Sequence, residues 1–105
     1  MTAAFIRPNA PMCLVMLTYV AELDSVDAHM AAHVAWLAQG FDAGVLVVAG
    51  RRKPRTGGVL LFRGERDEVE ALAHTDPFVT EGVATIEVVP FTASMATTAL
   101  GGMLA

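Results

Sequence analysis

One cysteine is too few for an internal disulfide. Cys13 sits inside an apolar run, where a thiol is more often an inert, buried filler than a nucleophile. A reducing compartment suits such a chain, and a cytoplasmic location is expected. Positive charge is also scarce: seven Lys and Arg against eleven Asp and Glu leave a formal net charge of −4. That balance argues against general nucleic-acid binding, which relies on basic surface to neutralise phosphates. The apolar run Met12–Val20 is well short of the about 20 residues that a bilayer span requires, so no membrane association is expected. Placed after Arg7, it loosely imitates a signal peptide. Yet Pro8 and Pro11 intervene, and Glu22 and Asp24 follow without an A-x-A site. G-x-S-x-G, C-x-x-C and G-x-G-x-x-G are all missing, so no motif supports a serine or cysteine nucleophile or a bound dinucleotide.

Apolar residues, by contrast, are plentiful. They make up 54% of the 105 residues before the nine glycines are counted, above the usual range for soluble chains. A single domain of this length has much surface for its volume. An Ala- and Val-rich core absorbs part of the excess. The remainder predicts self-association as a homodimer, because a large apolar patch is a liability on a small monomer.

Residues 1–11 carry two prolines and no periodicity, which reads as an irregular leader. Met12–Val20 is continuously apolar, as in a strand with at least one covered face. Asp24 and Ser25 then signal a helix start. Val26, Met30, Val34, Leu37 and Phe41 follow at spacings of three and four, predicting one amphipathic helix that ends near Gly40 to Gly44. Two apolar strands, Val45–Ala49 and Val59–Arg63, flank the connector Gly50–Gly58. A second helix spans Asp67–His74, with Val69, Leu72 and Ala73 facing inward. In the last strand, Val83–Phe91, Pro90 suggests an edge or terminal position. Residues 92–105 form a small, apolar tail without charge.

The order is β-α-β-β-α-β. It predicts an α+β, ferredoxin-like domain over 12–91, with an antiparallel sheet and two helices on one face. Strands this apolar cannot leave their other face in water. A second copy stacked sheet on sheet would cover it.

Few residues could carry chemistry. His29 and His33 stand four apart and share a helix face. Their H-x-x-x-H spacing lacks the glutamate of H-E-x-x-H, Met30 standing in its place. A third ligand would have to come from His74 or Asp76, so no metal is expected. His33 lies about 40° from Leu37 and about 60° from Met30 around the helix, at the border of the buried stripe. A satisfied structural histidine and a proton-transfer group both fit that position. Asp76-Pro77 suits an N-cap for a turn that begins at the proline. A carboxylate there could also orient an imidazole or act as a base, and one oxygen could do each job. The run Arg51-Arg52-Lys53-Pro54-Arg55 is either a solvated loop or a grip for an anionic substrate at the mouth of a cleft.

The chain resembles the YCII-related (YciI-like) family of small proteins. The matching residues are His33-Val34-Ala35-Trp36-Leu37, Ala43-Gly44, Ala49-Gly50, Gly57-Gly58, Asp76-Pro77-Phe78, Gly82 and Val89-Pro90-Phe91. The resemblance implies ferredoxin-like domains that pair as a dimeric α/β barrel. It also implies a histidine–aspartate active site, which falls on His33 and Asp76 here. A few relatives act in the breakdown of chlorinated aromatic compounds. Two departures concern substrate type: Met30 stands where many members have arginine, and Arg51 follows a glycine that proline often follows.

The expected function is acid–base chemistry of lyase, isomerase or hydrolase type on a small organic molecule. His33 and Asp76 would be catalytic, and His29, Arg51 and Phe78 would bind substrate, with no bound cofactor. The alternative is a non-catalytic dimeric ligand-binding or stress-response module using the same cavity. A haem or oxygenase site, which dimeric α/β barrels sometimes host, has only a histidine in its favour.

Overall fold

In the computed structural model, residues 4–104 are described. The apolar run folds as strand β2 (Ala10–Tyr19), following a two-residue strand β1 (Phe5–Ile6). Strands β3 (Leu46–Arg51), β4 (Gly57–Arg63) and β5 (Ala84–Ala93) complete an antiparallel sheet in the order β3-β4-β2-β5. β2 lies between β4 and β5, with Leu14 opposite both Leu61 and Val89. β5 is an edge strand, so Pro90 costs no ladder bond on its open side.

Period-two alternation sorts β2 between two environments. Cys13, Val15 and Leu17 join Leu46, Leu60 and Phe62 in the main core, against Val26, Val69, Ala73 and Phe78 from the helices. Burial is complete or nearly so there, which raises the Cys13 thiol above its ordinary pKa, an effect to which the nearby Glu65 adds. Met12 faces the other way, into a smaller cluster with Ala93 and Leu104. Both faces of β2 are therefore apolar, and the run is continuous rather than alternating.

The predicted first helix is two helices, α1 (Leu23–Ala28) and α2 (Met30–Asp42), separated at His29. The start lies two residues before Asp24, at the N-cap Glu22, whose carbonyl accepts the N–H groups of both Ser25 and Val26. Neither Asp24 nor Ser25 caps it; Asp24 complements the helix dipole from the first turn. α2 closes at Gly44, whose φ of 75° is the left-handed conformation expected of a glycine stop. The predicted stripe is displaced as well. Val34 and Phe41 are about half exposed, and His33 is the buried residue of α2. The second helical region is α3 (Arg66–Ala73) followed by the single turn α4 (Pro77–Thr80), both packed on the same sheet face.

The ends also depart from expectation. The irregular leader contains β1, and β2 itself begins at Ala10. β1 pairs antiparallel with β6 (Ala96–Thr97), and the tail continues as α5 (Thr98–Leu104). Small residues such as Gly101 let α5 approach Ile6, and Leu100 and Leu104 reach the second face of the sheet beside Met12. The tail thus packs on its own domain. Farther along that face Val48, Val89 and Phe91 stay exposed.

Gly57 is the tightest point of the sheet. A Cβ there would lie 1.8 Å from the Leu17 carbonyl oxygen, whereas one at Gly50 would meet nothing within 4 Å. Gly57→Ala is therefore expected to cost about 1–3 kcal/mol, while Gly50→Ala stays within about 0.5 kcal/mol. Thermal unfolding of both variants checks this, and equal losses would contradict it.

Candidate functional site

The site begins with the turn at α4. Asp76 has extended backbone angles, φ −58° and ψ 128°, because the following proline disfavours the helical region. Its Oδ1 accepts the Phe78 N–H at 3.0 Å, the N-cap bond expected of Asp before Pro. The same oxygen accepts from His33 Nδ1 at 2.8 Å, across 43 residues of chain. Asp76 is 1% exposed and His33 8%. Oδ1 is held as an acceptor by the Phe78 N–H, which assigns the hydrogen of this bond to Nδ1. In the neutral ring Nε2 then carries the lone pair, and it has no protein partner among the described residues. The other carboxylate oxygen, Oδ2, is buried without a hydrogen bond.

Aromatic packing fixes the imidazole plane. The Phe78 ring lies parallel to it, with centroids 3.9 Å apart and an interplanar angle of 6°. Trp36, one turn along α2, flanks it at 6.3 Å. Trp36 is itself held by a hydrogen bond from Nε1 to Thr75 Oγ1 at 2.9 Å and by edge contact with Phe62. Tyr19 meets Phe78 edge-on at 5.9 Å. One residue type thus serves twice at Phe78: the backbone N–H caps against Asp76 and the ring stacks on His33.

His33 faces a pocket of about 160 Å³. Leu17, Met30, Leu37, Leu60 and Phe78 supply apolar wall, Tyr19 and Arg51 supply polar groups, and Asp76 stays behind the imidazole rather than lining the cavity. His29 does not line it, and neither does His74, which follows α3. Among the described residues, no group of three His, Cys, Asp or Glu side chains is placed to hold a metal ion. No helix among them is long and apolar enough to cross a membrane.

The basic run is docked rather than loose. Arg55 forms an ion pair with Asp27 of α1, which holds that carboxyl below its ordinary pKa, and its guanidinium sits over the Tyr19 ring. Arg52 donates to Thr18 Oγ1 at 3.2 Å. Arg51 ends β3 and lines the pocket. Sequence patterning alone did not single out Trp36 or Thr75, although the spacing of Trp36 from His33 places both on one helical face.

An α+β domain with a ferredoxin-like strand order and a buried His–Asp contact at a pocket is the class defined so far. The chain belongs to the YCII-related domain family, whose model matches residues 12–92. No curated protein sequence matches the chain. Among solved structures, it is similar to 5-chloro-2-hydroxyhydroquinone dehydrochlorinase (TftG) from Burkholderia phenoliruptrix AC1100, in complex with 2,5-dihydroxybenzoquinone. The identity is 23% and the TM-score 0.62, covering 76% of this chain and 90% of the other, a likeness of fold.

The double use of Asp76 Oδ1 has a measurable consequence. Asp76→Ala removes the cap and strands the Nδ1–H in the interior, for an expected loss of about 2–4 kcal/mol. Asp76→Asn keeps an acceptor for both N–H groups and should lose only about 1 kcal/mol. Urea unfolding midpoints separate the two, and identical losses would show that the shared oxygen does not matter.

Proposed function

We propose that the protein is a small-molecule enzyme working by proton transfer, with His33 Nε2 as the base. The observation that carries this is the Nδ1–Oδ1 contact of 2.8 Å in a histidine that lines a largely apolar cavity, which leaves Nε2 as the ring nitrogen available to a substrate. Asp76 then has the orienting part: it fixes the tautomer and stabilises the imidazolium that forms as the substrate proton is taken. Phe78 keeps the ring from swivelling and forms part of the substrate wall. The similar dehydrochlorinase makes an elimination the reaction to try first. In such an elimination a base removes a proton while chloride departs with its electron pair.

The test is a panel of chlorinated and hydroxylated aromatic compounds, read by chloride release and by absorbance, with 2,5-dihydroxybenzoquinone as the binding probe. A His33→Gln variant is expected to lose about 10²- to 10⁴-fold in kcat while still binding the probe. Turnover that survives in this variant would exclude His33 as the base. Binding of the probe without turnover of any compound would instead indicate a ligand-binding module.

We also propose a homodimer formed through the second face of the sheet. Val48, Val89 and Phe91 are 39–56% exposed there, beside half-buried Leu14, Met16, Val59 and Leu61, and α5 covers only one end. A partner sheet packed on this face would bury them. Light scattering at micromolar concentration should give twice the 11.1 kDa chain mass, falling to the monomer in Phe91→Glu. A monomeric wild-type protein would contradict the dimer.

A further inference from the structure

The pocket beside His33 carries one cation and no carboxylate: Arg51 lines it, and neither aspartate nor glutamate does. Arg51 also differs from the two neighbouring arginines in having nothing to bind. Arg52 is engaged by Thr18, and Arg55 by Asp27 and Tyr19. Arg51 makes no hydrogen bond or ion pair among the described residues. The carboxylate that feels its charge, Asp27, is already taken by Arg55, whose hydrogen bond is the largest cause of its lowered pKa. The strand register leaves the space around Arg51 open. Arg51 lies opposite Gly58, and Gly58 opposite Leu17, so the residue across from the guanidinium has no side chain. A Cβ on Gly58 would come within 3.2 Å of the Gly50 carbonyl oxygen and 3.5 Å of Leu17 Cδ1.

An unpaired guanidinium at the exposed rim of a largely apolar wall is a site for an anionic oxygen, because the planar guanidinium matches a charged acceptor with paired hydrogen bonds. The volume sets the rest of the ligand. A dry cavity of about 150 Å³ accepts a benzene molecule, and this pocket measures about 160 Å³. We propose that the pocket selects a single-ring, monoanionic substrate, a carboxylate or phenolate, whose anionic oxygen is held by Arg51 while the ring lies along Leu17, Leu60 and Phe78 beside His33. This assignment of substrate class rests on His33 being the proton-transfer group of the same pocket. In it, Arg51 determines specificity and takes no part in moving the proton.

Calorimetric or NMR titration with benzoate and with benzyl alcohol, two ring-sized probes differing in charge, tests it. At low salt the wild-type protein should prefer benzoate by about tenfold or more. Arg51→Met should abolish that preference while leaving the affinity for benzyl alcohol unchanged, and Arg51→Lys should retain part of it. Equal affinities in the wild type, or a preference that survives Arg51→Met, would overturn the assignment and leave the role of His33 standing. If neither probe binds, both the substrate class and the pocket's role as a ligand site fail.

Discussion

The contact between His33 and Asp76 is the constraint on which the rest of the structure depends. It joins α2 to the turn at α4 across the top of the core, and both partners are almost fully buried. Burying two polar groups together is costly unless each finds a partner. Here Oδ1 meets that requirement by economical sharing, while Oδ2 stays buried without a hydrogen bond. Oδ1 serves the helix cap and the imidazole at once, and Phe78 supplies both the capped N–H and the ring that stacks on His33. Weakening any of the three disturbs the other two, so local geometry and site chemistry are one problem here.

That coupling also explains why some features were legible in the sequence and others were not. The β-α-β-β-α-β order, the edge position of Pro90 and the Asp76-Pro77 cap all follow from local rules, and each is seen in the structure. The Met12–Val20 run was readable as a strand because its two faces meet two apolar environments. The phase of the first helix was not readable. Periodicity favoured Val34 and Phe41 as inward residues, yet α2 turns His33 inward because a carboxylate and two aromatic rings await it there. Asp76 and Phe78 lie more than forty positions away, and no local window along the chain contains them; only Trp36 falls within the same helix. The pairing of β1 with β6 was hidden for the same reason: it joins Phe5 to Thr97, near opposite ends of the chain.

The candidate site was legible in part. His33, Phe78 and Arg51 line one cavity with Asp76 behind His33, whereas His29 stays outside it. Helical angles set His33 at the border of the buried stripe and left His29 ambiguous. What separates them is position along the kinked helix, since one lies at the break and the other a turn beyond it. The basic run divides in a similar way. Arg55 and Arg52 fasten the β3–β4 connector to α1 and β2, and that fastening leaves Arg51 at the pocket. A composition that argued against nucleic acid therefore still places a single positive charge where a small anion could use it.

The central claim is that Asp76 holds the His33 ring with Nδ1 protonated and Nε2 bare towards the pocket. Nitrogen-15 NMR of the imidazole measures this directly. The account predicts a neutral Nδ1–H tautomer whose proton is shielded from solvent exchange, and loss of that protection in Asp76→Ala. An Nε2–H tautomer, or ring protons that exchange freely in the wild-type protein, would contradict it.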